Sequence, residues 1–176
     1  VADLLMRLVD FFRISVKVDR QMVALDDELE LLEAYMDLMC YRYPNLHCEY
    51  DIDPDLGGSL VPNFILQPLV ENSLLHGLKN KGYRGDITAK KEGNAIEILI
   101  RDSGSGFMDG RKDIIDEMLL HYDKKHAKLE GNSIGILNVQ KRIKLLCGPK
   151  YGLSYMENET GGVTARLLLP HEEDAK

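Results

Sequence analysis

The apolar residues keep one period up to position 43 and a different one after it. Leu25, Leu29, Leu32, Met36, Met39 and Tyr43 recur in alternating steps of four and three. That is the seam of a helix lying against a second helix, and it equally suits an ordinary amphipathic core helix. Ala24-Leu25-Asp26-Asp27 reads as the start of this helix, with early acids complementing the N-terminal dipole. Upstream, Leu4, Leu8, Phe11, Val18 and Met22 stand at helical spacing, so a first helix is expected over residues 3–22. Pro44-Asn45 closes the helical region. From His47 to Ile52 the pattern alternates every second residue, as a strand does. The chain must therefore join a helical segment, residues 1–44, to a sheet-containing one, residues 45–176.

The second segment reads as strand, helix, two strands, a long connection, helix and two strands. Pro62 suits a first helical position, and the apolar run to Leu78 suits a buried helix, although Pro68 inside it implies a kink or a later start. Strands follow at 85–91 and 95–101 around Gly93-Asn94, a two-residue hairpin turn. Residues 103–133 are polar and glycine-punctuated, and a connection of that length is usually functional. A helix over 134–147 precedes strands at 151–157 and 163–169. This order predicts an α/β sandwich, a mixed and mainly antiparallel sheet with helices on one face.

Several function classes drop out. The charge is −7 and no basic run occurs, which disfavours nonspecific nucleic-acid binding. The longest apolar region, 60–78, is broken by Pro62, Asn63, Gln67, Pro68, Glu71 and Asn72, so it cannot span a bilayer. Cys40, Cys48 and Cys147 form no C-x-x-C pair and read as reduced thiols. P-loop, G-x-G-x-x-G, G-x-S-x-G and H-E-x-x-H signatures are all missing. The start at Val1, inside a helical pattern and without Met, reads as a piece of a longer protein.

Four clusters remain. In Glu71-Asn72-Ser73-Leu74-Leu75-His76-Gly77, Asn72 and His76 share a helix face. A carboxamide oxygen at Asn72 can ligate Mg²⁺, and Glu71 beside it is a candidate base. Asp102-Ser103-Gly104-Ser105-Gly106 follows a strand; the carboxylate can accept from an exocyclic amine, and the glycines let backbone approach a flat ligand. Gly131-Asn132-Ser133-Ile134-Gly135-Ile136 opens a helix, whose N-terminal amides suit phosphate. Gly161-Gly162-Val163-Thr164 enters the last strand. Each alone is equally a turn, a cap or a buried polar network.

In this order the clusters resemble the ATP-binding fold of GHKL proteins, the group of gyrase, Hsp90, histidine kinases and MutL. Val61-Pro62, Gln67-Pro68-Leu69-Val70-Glu71-Asn72 and His76-Gly77 resemble sensor histidine kinases of the LytS/YehU type. The resemblance implies a two-layer GHKL sandwich preceded by two helices. It implies ATP and Mg²⁺ as ligands, with Asn72 on the metal and Asp102 on the adenine amine. Gly104 and Gly106 would form the adjoining turn, and His76 would line the pocket. Gly131, Ile134, Gly135 and Ile136 would sit at the phosphate end of a lid, and Thr164 would help hold adenine. Leu75 stands where such proteins carry lysine, so Lys79, Lys124, Lys125 or Lys128 is expected to supply the phosphate-neutralising charge. Ser103 and Ser133 also replace an asparagine and a glycine of the pattern.

The resemblance further implies transfer of the ATP γ-phosphoryl group to a histidine and then to a response regulator. It implies homodimerisation through the first helices, and a cytoplasmic domain of a membrane sensor protein that itself touches no membrane. His47, His76, His121, His126 and His171 all lack the Pro-His-Phe-like context of an acceptor, so the acceptor is expected outside residues 1–176. A GHKL ATPase, a serine/threonine kinase of the anti-sigma type, or a non-enzymatic dimerisation module fits the same clusters.

Overall fold

The structure, a computed structural model, describes residues 2–16, 20–77, 83–107, 111–123, 132–159 and 161–171. Two helices, α1 (Ala2–Val16) and α2 (Leu25–Arg42), flank a three-residue strand, β1 (Met22–Ala24). Then come β2 (Leu46–Ile52), β3 (Leu60–Pro62), α3 (Leu66–Gly77), β4 (Tyr83–Glu92) and β5 (Ala95–Asp102). The chain continues through α4 (Arg111–Leu120), α5 (Asn132–Cys147), β6 (Gly152–Glu157) and β7 (Val163–Pro170).

Five strands form the main sheet in the order β2-β4-β5-β7-β6, with β2 parallel to β4 and the other pairs antiparallel. Glu92 pairs with Ala95, leaving Gly93-Asn94 as the two-residue turn expected between them, with Gly93 at φ 60. Alternation sorts the two faces. Ile87, Ala89, Ile96, Ile98, Ile100, Leu167 and Leu169 are buried beneath the helices. The opposite face carries ion pairs: Arg101 with Asp86 at 2.6 Å, and Arg166 with Glu97 and Glu92. Leu66, Leu69, Val70 and Leu74 of α3 and Ile136, Leu137, Val139 and Ile143 of α5 complete the core. Leu25, Leu29, Leu32 and Met36 of α2 belong to that same core, which runs without interruption across position 44. The three cysteines are free thiols, and burial pushes Cys48 and Cys147 up to about 11.

Three local expectations change. Met22 is not the end of a helix: β1 pairs antiparallel with β3, Met22 against Pro62. The helix expected from Pro62 begins at Leu66, and Pro68 therefore falls in its first turn, where the missing N–H has no intrahelical partner to lose. The polar connection holds a helix, α4, which buries Ile115, Met118 and Leu119.

The late start of α3 is built by one side chain. Glu28 of α2 is 2% exposed, and its carboxylate accepts from the amides of Phe64 at 2.6 Å, Ile65 at 3.0 Å and Leu66 at 3.1 Å. Burial pushes its pKa up, while the three amides and the nearby Arg142 pull it back. The preceding turn is pinned as well. Asn63 donates from Nδ2 to the Arg20 carbonyl and from its amide to Gln21, and its own carbonyl accepts from Arg142. Phe64 sits in the left-handed region at φ 56, which aims its N–H at Glu28.

Glu28→Ala strands three donors, two of them in fully buried bonds, so it should destabilise the fold by about 2–4 kcal/mol. Urea unfolding followed by circular dichroism measures this, with the midpoint falling and the slope unchanged. A variant within about 0.5 kcal/mol of the parent would show that the carboxylate does not hold α3.

Candidate functional site

Between the inner face of the sheet and the ends of α3, α4 and α5 lies an enclosed cavity of about 230 Å³. Its walls are mostly apolar: Leu69 from α3, Ile100 from β5, Ile136 from α5, Tyr155 from β6, and Val163 and Ala165 from β7. Asn72, Ser73, Asp102 and Arg111 supply the polar points. A larger hollow of about 900 Å³ opens on the other face near Asp102. It is shallow, and its charged side chains include the Arg101–Asp86 pair. The enclosed cavity is the better ligand site.

Asp102 ends β5 and is the most constrained of the polar groups. Its Oδ1 accepts from the amides of Gly104 at 2.8 Å and Val163 at 3.1 Å. Its backbone carbonyl accepts from Asn158 Nδ2 at 3.1 Å. The start of β7 reaches the carboxylate only because residue 162 is glycine: at φ +89, a Cβ there would stand 2.0 Å from the Asp102 carbonyl oxygen. Among the described residues Oδ2 has a single long contact, 3.3 Å from Ser73 Oγ. Ser73 in turn shares a 2.7 Å hydrogen bond with the hydroxyl of Tyr83, a residue buried at the start of β4. Gly85 makes room for that hydroxyl, since a Cβ there would lie 2.4 Å from it. One carboxylate oxygen is thus saturated by the protein, and the other keeps acceptor capacity beside an apolar slot. This arrangement can take a planar ring bearing an N–H donor.

Of the residues singled out from sequence, Asn72, Asp102, Gly104, Gly106 and Ile136 all line this cavity. Gly135 packs against Pro68, where an added Cβ would be 3.7 Å from the proline ring. Ile134 is 49% exposed and is not part of the lining. Glu71 accepts from Gln67 Nε2 at 2.9 Å and also does not line the cavity. Thr164 is turned away by the strand pleat: its neighbours Val163 and Ala165 face the cavity, while its hydroxyl donates to Asn158. His76 lies one turn beyond Asn72 on α3, and its side chain is outside the described residues, as are Lys79, Lys124, Lys125, Lys128 and Gly131. Ser103, at the position expected to depart from the pattern, is paired: its hydroxyl accepts from the Arg84 amide at 3.1 Å. Leu75 is half exposed.

Sequence reasoning did not single out Ser73, Arg111 or Tyr155 as site residues. Ser73 was legible only as part of the Asn72 cluster. Arg111 opens a helix within a charge-rich stretch that shows little apolar periodicity. Tyr155 sits at an inward position of an alternating strand, where an aromatic residue reads as ordinary core.

Residues 62–173 match the family model of the histidine kinase-, DNA gyrase B- and HSP90-like ATPases, and residues 1–46 match the histidine kinase model. The sensor protein LytS of Oceanobacillus iheyensis is 30% identical over 98% of this chain, and the alignment covers 29% of that protein. The sensor histidine kinase/phosphatase LytS of Staphylococcus aureus strain MRSA252 is 28% identical over 97% of this chain and 29% of its own length. The chain thus spans less than a third of these curated relatives. Among solved structures, the catalytic domain of the histidine kinase ThkA superposes with a TM-score of 0.64 at 14% identity, covering 88% of this chain and 98% of that one. The ATP-binding domain of PrrB from Mycobacterium tuberculosis gives 0.57 at 20% identity, covering 88% and 98%. The order of clusters, the one-sided sheet and the match over residues 62–173 agree: this chain belongs to the histidine kinase-, DNA gyrase B- and HSP90-like ATPase family.

Proposed function

We propose that this chain is the ATP-binding catalytic region of a two-component sensor histidine kinase. The observation that carries the reading is Asp102, whose Oδ1 is locked by two amides while Oδ2 faces an apolar slot able to take a purine. The carboxylate accepts from the exocyclic amine of adenine, and Leu69, Ile100 and Val163 pack on the ring. The triphosphate then leaves the slot toward Asn72, Arg111 and the N-terminal turn of α5, where Ser133 lines the cavity. Backbone amides at that helix start and the Arg111 guanidinium together offset phosphate charge. Arg111 takes the place of the lysine expected at Leu75.

Among the described residues no group of three or more His, Cys, Asp or Glu could hold a metal. Asn72, a carboxamide at the polar end of the cavity, suits an ion that shares its coordination with phosphate oxygens, the usual mode for Mg²⁺. When bound, Mg²⁺ neutralises β- and γ-phosphate charge. In the transfer itself, the bond from the γ-phosphorus to the β-bridging oxygen breaks and a bond to an imidazole nitrogen forms, with ADP leaving. The chain's own residues position and neutralise, which is most of what phosphoryl transfer asks of a protein.

The acceptor histidine lies outside residues 1–176 in this reading, and the phosphoryl group passes on to a response-regulator aspartate. The apolar face of α1, with Leu5, Met6 and Val9 exposed, suits pairing with a second copy. Among the described residues no helix is long and apolar enough to cross a membrane. The relatives' greater length leaves room for sensor segments elsewhere, with this region on the cytoplasmic side.

Calorimetric titration of ATP with Mg²⁺ into residues 1–176 should give binding that Asp102→Asn weakens at least about tenfold. Asn72→Ala should remove the Mg²⁺ dependence. Absence of heat at millimolar ATP would sink the proposal. Arg111→Ala should weaken ATP by about 5- to 20-fold while leaving adenosine binding unchanged, because only the phosphates meet the guanidinium. Equal losses for ATP and adenosine would remove Arg111 from the phosphate site.

A further inference from the structure

The cavity contains a polar group that the phosphate and adenine-amine contacts leave unused. Tyr155 lies on β6, opposite Ala165 of β7, with its ring against Phe107 in an edge-on contact at 6.2 Å and 78°. The residue is 7% exposed, and its hydroxyl has no hydrogen-bond partner among the described residues. Other buried hydroxyls around the site are paired: Tyr83 with Ser73, and Thr164 with Asn158. Tyr50, Asn63 and His171 carry the remaining unpartnered buried atoms among the described residues, and none of them lines this cavity. Burying an unpaired hydroxyl costs stability, and phenylalanine would fill the same space without that cost. The hydroxyl is thus expensive in the empty fold, and the residue that carries it lines the cavity within reach of the charge of Asp102.

We infer that the Tyr155 hydroxyl reads the nucleobase, donating a hydrogen bond to a ring nitrogen of adenine in this cavity. The inference rests on the nucleotide reading above and adds a specificity residue to it. Burial, together with the charge of Asp102, pushes the phenol pKa well above its ordinary value, so the group stays a donor throughout the physiological range. Asp102 can only accept, and Tyr155 donates. Adenine presents the complementary pair, an amine donor flanked by ring-nitrogen acceptors at N1 and N7. Guanine carries an acceptor oxygen where the amine would be, which would set that oxygen against the Asp102 carboxylate. The pair therefore selects adenine over guanine nucleotides, with Asp102 reading the amine and Tyr155 the neighbouring nitrogen.

The test is calorimetry on residues 1–176 and on Tyr155→Phe, with Mg²⁺ and ATP, 1-deaza-ATP, 7-deaza-ATP or GTP. The parent should bind ATP more tightly than GTP, and one deaza analogue about 3- to 10-fold more weakly than ATP. Tyr155→Phe should weaken ATP by the same factor and bind that analogue no more weakly than the parent does. Its melting temperature without nucleotide should equal or exceed the parent's, which a mere packing defect would lower. Unchanged ATP affinity in the variant overturns the inference, as does an equal loss for ATP and both analogues. So does a parent that binds both deaza analogues as tightly as ATP, a result that needs no variant. A parent that binds no ATP at all overturns the nucleotide reading and this one together. ATP binding that still discriminates against GTP, with both deaza analogues bound as tightly as ATP, overturns this one alone.

Discussion

A buried carboxylate from the helical segment sets the position of the helix that carries Asn72. Glu28 gathers three amides at the head of α3. Four orphan donors at a helix start are an open liability when the start is buried, and a side chain from another element is the most demanding way to meet it. The interaction works only if α2, the turn at Asn63-Phe64 and the first residues of α3 all keep their places. Desolvating a carboxylate is costly, and amides at the positive end of a helix dipole are among the groups best able to offset that cost. The site and the helical segment consequently share a single mechanical support.

The cavity follows a related division of labour around Asp102. One oxygen and the carbonyl are consumed by the loop, by β7 and by Asn158, so the carboxylate cannot swing. The Tyr83–Ser73 pair reaches the second oxygen through one 3.3 Å contact without saturating it. Preorganisation of this kind lowers the ordering cost of binding. It depends on two glycines doing opposite things: Gly162 permits backbone to press on backbone, while Gly85 clears space for a side chain of its own strand.

Much of this was legible in advance, and the misses have physical reasons. The β4–β5 hairpin was readable because alternation and a Gly-Asn turn point the same way. Asn72, Asp102, Gly104 and Gly106 stand out because their spacing resembles a known pattern, and all four line one cavity. Three-residue strands carry too little sequence to show a period, and Met22 happens to fit helical spacing as well as it fits β1. The apolar face of α4 is only Ile115, Met118 and Leu119 in a charged stretch, too thin to register as a helix. Thr164 shows how a period-two element punishes a shift of one, since its neighbours face the cavity and it does not. The Glu28 contact joins residues 36 to 38 positions apart, and no local signal encodes it.

The continuity of the core across position 44 changes what counts as a unit in this protein. The change of hydrophobic period separates kinds of secondary structure, yet one buried core crosses it. A chain cut at that point would lose the strand that pairs with β3, the α2 residues packed on α3, and the acceptor at the head of that helix. The piece that keeps these contacts begins near Arg20. The helix joined to the upstream segment is also packed on α3, so a twist delivered through α2 arrives at α3 as a change in the framework of the cavity.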